Sequence, residues 1–159
     1  MMITEQDKEF MREAIRLANK SIEHGGGPFG AVIVKDGEMI AGSGNSVTLD
    51  NDPTAHAEVN AIRLACQRLN TYDLTGCIIY SSCEPCPMCL GAIYWAHISR
   101  IYYGNTRDDA REVNFADDYI YNELSRPVDE RLVPMTPLLR DESIVTFRRW
   151  NEKSDKTEY

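Results

Sequence analysis

The sequence has no long apolar stretch, and nothing in its 159 residues approaches the ~20 consecutive apolar residues of a membrane helix. We also expect no signal peptide, because the first segment, MMITEQDKEF, contains acids and lacks an apolar run. Basic residues are in deficit: 17 Lys and Arg face 25 Asp and Glu, for a net charge of −8. Because Lys and Arg supply most phosphate affinity, we expect a small-molecule ligand, no nucleic acid and no membrane partner.

Cysteines are few but clustered. Five are present, an odd number, and three of them lie in the nine-residue segment SSCEPCPMC at 81–89. Clustered cysteines in an unexported chain more often bind metal or take part in chemistry than form disulfides. We therefore expect a reducing, cytoplasmic compartment. The length suits one domain, 1–159, with a single core that needs no disulfide.

The first half of the chain shows helix and hairpin patterns. Thr4 and Asp7 resemble a capped helix start, and apolar residues then recur at helical spacing. The segments AVIV (31–34) and EMIA (38–41) flank a Lys-Asp-Gly turn, which predicts a β-hairpin. We expect the next helix to be capped by Asp52, with Pro53 in its first turn.

Two further strands are expected at CIIYSS (77–82) and RIYYGN (100–105), with a helix opening at Pro87 between them. A strand, helix and strand of this length favour parallel pairing. The segment from Arg126 to Leu139 contains three prolines and is expected to be an irregular, extended excursion. A last helix is expected over DESIVTFRRWNEK. These patterns predict an α/β fold with one mixed sheet covered by helices on both faces.

The cysteine cluster and a histidine predict a metal site. Cys86 and Cys89 are three apart at a helix start, so they share one face, and the helix N-terminus stabilises thiolates. His56 is expected in the first turn of the preceding helix, tilted toward that helix's N-terminus. These three ligands leave a fourth position open, as in catalytic zinc sites. If Cys83 also bound, the site would be closed and structural; a redox pair is a further alternative. Glu58 beside the metal could take a proton from an activated water.

The motifs His56-Ala57-Glu58 and Pro85–Cys89 match the H-x-E and P-C-x-x-C signature of zinc-dependent nucleobase deaminases. More closely, GGPFGAVIVKDG, NDPTAHAEVNAIR and SCEPCPMCLGAIYWA resemble the bacterial guanine deaminases of the cytidine/deoxycytidylate deaminase-like family. The resemblance implies a three-layer α/β/α fold with a central mixed five-stranded sheet. It also implies a homodimer that exchanges C-terminal segments, at about 127–159 here.

The resemblance further implies a hydrolytic reaction of purine catabolism, guanine to xanthine and ammonia. One Zn²⁺ per chain would be held by His56, Cys86 and Cys89. Glu58 would carry protons to the ring nitrogen and to the departing amine. Alternatives are a guanosine deaminase or another nucleobase deaminase, a tRNA adenosine deaminase, which the charge disfavours, and a non-catalytic zinc-binding module.

Four more residues receive substrate roles from the resemblance. Asn45 would hydrogen-bond the purine and Phe29 would pack on its ring. Asp117 would accept from the adjacent ring N–H and the exocyclic amine of guanine, because a carboxylate offers two acceptors. In the family the acidic pair directly follows a Phe, whereas here Ala116 lies between Phe115 and the pair. Asp118 is therefore the alternative residue for contact with the base. The tail KSDKTEY would be disordered if read from its residues alone, whereas the resemblance implies that Tyr159 closes the partner's active site.

Overall fold

The computed structural model describes residues 2–159; Met1, the first residue of the predicted domain, lies outside that range. The chain divides into two compact units, one ending at Asp118 and one covering Tyr119–Tyr159. The first contains α1 (Glu5–Glu23), β1 (Gly30–Lys35), β2 (Glu38–Gly44), α2 (Val47–Asp50), α3 (Ala57–Leu69), β3 (Cys77–Cys83), α4 (Pro87–Trp95), β4 (Arg100–Asn105) and α5 (Arg107–Glu112). Helix α6 (Asp118–Ser125) begins at the boundary, and a 3₁₀ turn (Val128–Glu130) and α7 (Arg140–Glu152) follow. None of the helices over residues 2–159 is long and apolar enough to cross a membrane.

The sheet is mixed, as predicted, but it has four strands rather than five over the described residues. Their order is β2-β1-β3-β4. Strand β1 pairs antiparallel with β2 and β3, whereas β3 and β4 are parallel, which confirms the predicted parallel pair. The described chain after β4 contains helices, turns and irregular segments. Its three prolines over 126–139 could not donate ladder hydrogen bonds, which disfavours a further strand there.

Each face of the sheet has its own apolar cluster. Alternate residues of β1 point to opposite faces, so Ile33 joins the cluster that contains α3 and Val32 joins the cluster that contains α1. The same alternation in β3 places Ile79 on the α3 face and Tyr80 on the α1 face. Helices therefore cover both faces, as the sequence predicted.

Two local predictions are confirmed. The Thr4 hydroxyl accepts a hydrogen bond from the Asp7 backbone N–H at 3.1 Å, and the Thr4 N–H donates to the Asp7 carboxylate at 2.7 Å, which is the capping box of α1. The hairpin turn between β1 and β2 has two left-handed residues, Asp36 at φ 51° and Gly37 at φ 80°. A two-residue turn of this kind fits the twist of antiparallel strands, and glycine adopts it without strain.

The predicted start of the helix after Asp52 is wrong by several residues. Helix α3 begins at Ala57, and His56 is its N-cap, with an extended backbone at φ −69° and ψ 154°. The Asp52 carboxylate instead accepts from the Thr54 backbone N–H at 2.8 Å and from the Thr54 hydroxyl at 2.7 Å. Because Asp readily closes such local turns, its side chain forms a turn here rather than a helix cap.

The second unit differs from the first in burial. The predicted last helix is present as α7, and the proline-spaced excursion is irregular apart from its single 3₁₀ turn. Of the residues that the structure describes, none after Ala110 is buried. Many apolar side chains are exposed instead: Leu124, Val128, Leu132, Val133, Met135, Leu138, Leu139, Val145, Phe147, Trp150 and Tyr159.

Candidate zinc site and active-site pocket

Two helix N-termini bring the predicted metal ligands together. His56 is the N-cap of α3, Cys86 is the N-cap of α4, and Cys89 lies in the first turn of α4. Their ligand atoms all lie within 4.8 Å of one another. His56 Nδ1 is 3.6 Å from Cys86 Sγ and 3.5 Å from Cys89 Sγ. A tetrahedral zinc with its usual Zn–S and Zn–N distances places nitrogen and sulfur ~3.6 Å apart. The three residues therefore fit a zinc ion.

The two ligand thiols share protons as a pair. A hydrogen bond from the Cys89 thiol lowers the pKa of Cys86 to about 4, and the same bond raises the pKa of Cys89. The hydrogen bond with Cys86 also raises the pKa of His56. The cluster thus holds one thiolate readily and the second only with added positive charge. A divalent cation supplies that charge, since a coordinating thiol is deprotonated.

Glu58 lies beside this cluster in the first turn of α3 and is 5% exposed. Its Oε2 lies 3.4 Å from Cys89 Sγ, and its Oε1 accepts from the Ser81 hydroxyl at 3.0 Å. Burial raises the pKa of the Glu58 carboxyl. A buried carboxyl next to metal ligands, with a raised pKa, has the properties of a proton carrier.

A cavity of about 500 Å³ opens over the cluster, and its lining includes His56, Glu58 and Cys86. Two predicted substrate residues, Phe29 and Asn45, also line it. The Phe29 ring packs edge-on against Phe115, with centroids 5.0 Å apart and an interplanar angle of 88°. Asn45 Oδ1 accepts from the backbone N–H groups of Gly27 at 3.3 Å and Val47 at 3.2 Å. Since the carbonyl end is engaged, the amide nitrogen is the Asn45 group suited to a ligand.

The two adjacent acids Asp117 and Asp118 lie in different environments. Asp117 lines the cavity, and its Oδ1 is buried without a hydrogen-bond partner among the described residues. Burial raises the pKa of the Asp117 carboxyl. Asp118 accepts from Arg111 at 2.7 Å, and this ion pair engages its carboxylate. A buried acceptor without a partner is costly, which marks Asp117 as a site for a ligand donor.

A sequence model of the cytidine and deoxycytidylate deaminase zinc-binding region matches residues 4–105. The chain belongs to this deaminase family. Guanine deaminase of Bacillus subtilis (strain 168) is 50% identical to this chain over 151 residues, which cover 94% of this chain and 97% of the relative. The X-ray structure of guanine deaminase from Bacillus subtilis matches it with a TM-score of 0.93 at 50% identity, covering 96% of this chain and 98% of that one. A tRNA-specific adenosine deaminase of Aquifex aeolicus is 47% identical over 94 residues, 59% of this chain and 62% of the relative.

Cys83 lines the cavity of the deaminase and lies outside the ligand group. Burial raises its pKa to about 11, and its thiol faces the Thr106 carbonyl at 3.7 Å. The group formed by the three ligand atoms of His56, Cys86 and Cys89 does not include the Cys83 thiol. This environment favours the open, three-ligand site over the closed structural one.

Sequence reasoning missed two features of the deaminase's site. The Ser81 contact with Glu58 could have been found from strand alternation, because Ser81 lies two residues after Ile79 and shares its α3 face. Arg107 and Glu84 line the cavity as an ion pair, with Nε and Oε1 3.1 Å apart. Nothing in the sequence links these two residues. Tyr159 belongs to the second unit and is 76% exposed.

Proposed function

We propose that this deaminase hydrolyses free guanine to xanthine and ammonia, with one zinc ion per chain bound by His56, Cys86 and Cys89. The observation that carries the choice of guanine is the buried, unpartnered carboxylate oxygen of Asp117 in the cavity. Guanine presents a ring N–H and an exocyclic amine side by side, and a carboxylate accepts from both. The 50% identity to the guanine deaminase of Bacillus subtilis over nearly the full length supports the same substrate.

The reaction divides among the groups around the cavity. When bound, zinc supplies Lewis-acid chemistry, lowering the pKa of a water molecule so that it can act as a nucleophile at neutral pH. Glu58 takes one proton from that water and gives it to the ring nitrogen beside the attacked carbon. It then takes the second proton from the added oxygen and passes it to the amine, which leaves as ammonia while the carbonyl forms. Asn45 donates its amide N–H to an acceptor of the purine, and Phe29 packs on the ring and excludes water.

A polynucleotide substrate is disfavoured. A net charge of −8 gives weak electrostatic attraction to phosphates. The tRNA-specific adenosine deaminases of Aquifex aeolicus and Haemophilus influenzae match 59% and 75% of this chain, less than the 94% matched by the guanine deaminase of Bacillus subtilis. The five free cysteines of the described chain favour a reducing, cytoplasmic compartment.

We further propose a homodimer in which the C-terminal segment, about 127–159, is exchanged, so that Tyr159 closes the partner's cavity. The absence of buried residues after Ala110, over the described chain, supports this arrangement, since the exposed apolar side chains there need a surface to cover them. A phenol provides an apolar lid with one hydrogen-bonding group, which suits a small aromatic base. In this proposal residues 1–159 remain one deaminase domain.

Ammonia release from guanine, guanosine, adenine, cytosine and cytidine tests the substrate. We expect guanine to be preferred, and Asp117→Asn to lower kcat/KM for guanine by about 10²-fold or more because guanine's donors lose their buried acceptor. Asp118→Asn is the matched control, since its carboxylate is paired with Arg111, and it should stay close to the unaltered enzyme. Faster turnover of guanosine than guanine would assign the nucleoside instead. Equal losses in the two variants would remove Asp117 from recognition.

A further inference from the structure

Glu58 is held on one side by a strand of the sheet. The Ser81 hydroxyl, on β3, donates to Glu58 Oε1 at 3.0 Å. Ser81 is 2% exposed and Glu58 is 5% exposed, so water does not replace either partner. The backbone of Ser81 is fixed on both sides, because it pairs with Ala31 of β1 and Tyr103 of β4. The donor is therefore rigid.

The two carboxylate oxygens of Glu58 thus have different neighbours. Oε1 faces the sheet through Ser81, whereas Oε2 faces the ligand cluster, 3.4 Å from Cys89 Sγ. A proton carrier works only within hydrogen-bond reach of the atoms it serves, and small errors in its orientation are costly. Without the Ser81 donor, Oε1 would be a buried acceptor with no fixed partner, free to turn toward other donors.

We infer that Ser81 is a positioning residue for the reaction: its hydroxyl anchors Glu58 Oε1 and so keeps Oε2 directed at the reacting groups. The inference rests on the proposed function, because Glu58 is the proton carrier there. Ser81 acts through Glu58, so its loss should lower kcat and leave KM for guanine and zinc binding nearly unchanged.

The chain offers a matched control one residue away. Ser82 is also on β3 and is also 5% exposed. Its side chain points to the opposite face of the sheet, as that of Tyr80 does. Its hydroxyl accepts from the Gly30 backbone N–H at 3.0 Å, away from Glu58. Ser82→Ala therefore removes a comparable buried hydroxyl without touching the proton carrier.

The kinetic test compares Ser81→Ala, Ser81→Thr and Ser82→Ala with the unaltered enzyme, each assayed with guanine and measured for zinc content and Tm. Losing a hydrogen bond to a charged group corresponds to a fall in kcat of about tenfold for Ser81→Ala. Ser81→Thr retains the hydroxyl and should recover most of kcat. Ser82→Ala should lower Tm but keep kcat. Unchanged kcat in Ser81→Ala, or equal kcat losses in Ser81→Ala and Ser82→Ala, would overturn the inference.

A second measurement does not depend on activity. Ser81→Ala should lower Tm in the unaltered chain by more than in a Glu58→Ala background, where the hydroxyl has no carboxylate to anchor. Equal Tm shifts in the two backgrounds would show that the Ser81 hydroxyl does not act on the Glu58 carboxylate and would overturn the inference. Failure of the inference is distinct from failure of the proposed function. In the first case the unaltered enzyme deaminates guanine and Ser81→Ala matches it; in the second the unaltered enzyme releases no ammonia from guanine, and both proposals fall.

Discussion

The two units of the chain contrast in how they use apolar residues. In β1, all residues except the last are buried, and the strand contributes to apolar clusters on both faces of the sheet. Helix α7 has no buried residue, and even its large aromatic side chains are exposed: Phe147 is 72% exposed and Trp150 is 43% exposed. The first unit encloses its own core; the second presents apolar side chains that its own fold does not cover.

The contrast indicates different roles for the two units, with the catalytic groups in the first. The cluster of His56, Cys86 and Cys89 lies on elements that pack in the first unit, as does Glu58. The second unit spans only residues 119–159, near the ~40 residues below which a chain seldom folds without a staple or a partner. We therefore expect catalysis to depend on single residues of the first unit, and the second to depend on a partner chain.

The largest effect should come from the metal ligands. Cys86→Ser or Cys89→Ser should each empty the zinc site and abolish turnover, because the open site has only three protein ligands. Cys83→Ser is the matched control on the cavity floor and should retain one zinc per chain. Metal analysis of the purified variants measures this. Loss of zinc from Cys83→Ser would mean a closed structural site and would contradict the catalytic assignment.

Glu58→Gln comes next and sharpens the claim that single residues of the first unit carry the chemistry. It should retain zinc and the fold, since the amide fills the same volume, but turnover should fall by about 10²–10⁴-fold because the proton carrier is lost. Steady-state ammonia release beside zinc content and Tm measures this. More than about a tenth of normal activity would remove Glu58 from the proposed reaction.

How far the sequence predicts this structure depends on the range of the interactions involved. The α1 capping box and the β1–β2 turn are local, so residue types at fixed offsets predicted them. The zinc cluster was predictable because helix N-termini orient nearby side chains in a known way. The start of α3 was not, since the Asp52 side chain could cap a helix or close a turn with Thr54, and residue types alone do not distinguish the two. The sequence also did not show that Asp117 would bury one carboxylate oxygen in the cavity while Asp118 pairs with Arg111, because both depend on tertiary contacts.

A third prediction compares one apolar side chain from each unit. Ile79 is fully buried in the first unit, so Ile79→Ala should destabilise the fold by about 2–5 kcal/mol. Phe147 is 72% exposed within its own chain, so in an unexchanged monomer Phe147→Ala should cost almost nothing. If a partner covers it, the same change should weaken the dimer by about 1–3 kcal/mol. Tm as a function of protein concentration distinguishes the two: a concentration-independent, unchanged Tm for Phe147→Ala would break the proposed contrast.

The last prediction gives the smallest signal and addresses the proposed exchange directly. Glu58→Gln and a chain lacking Tyr159 are each expected to be nearly inactive alone. In an exchanged heterodimer, one of the two sites combines the intact Glu58 of one chain with the intact Tyr159 of the other, so the purified heterodimer should show about half of normal activity. In an unexchanged dimer, every site lacks one of the two groups. The chains are therefore co-expressed with different affinity tags, the heterodimer is purified through both tags, and ammonia release is measured against each parent. A heterodimer that forms, binds zinc and yet shows no recovery would rule out the exchange.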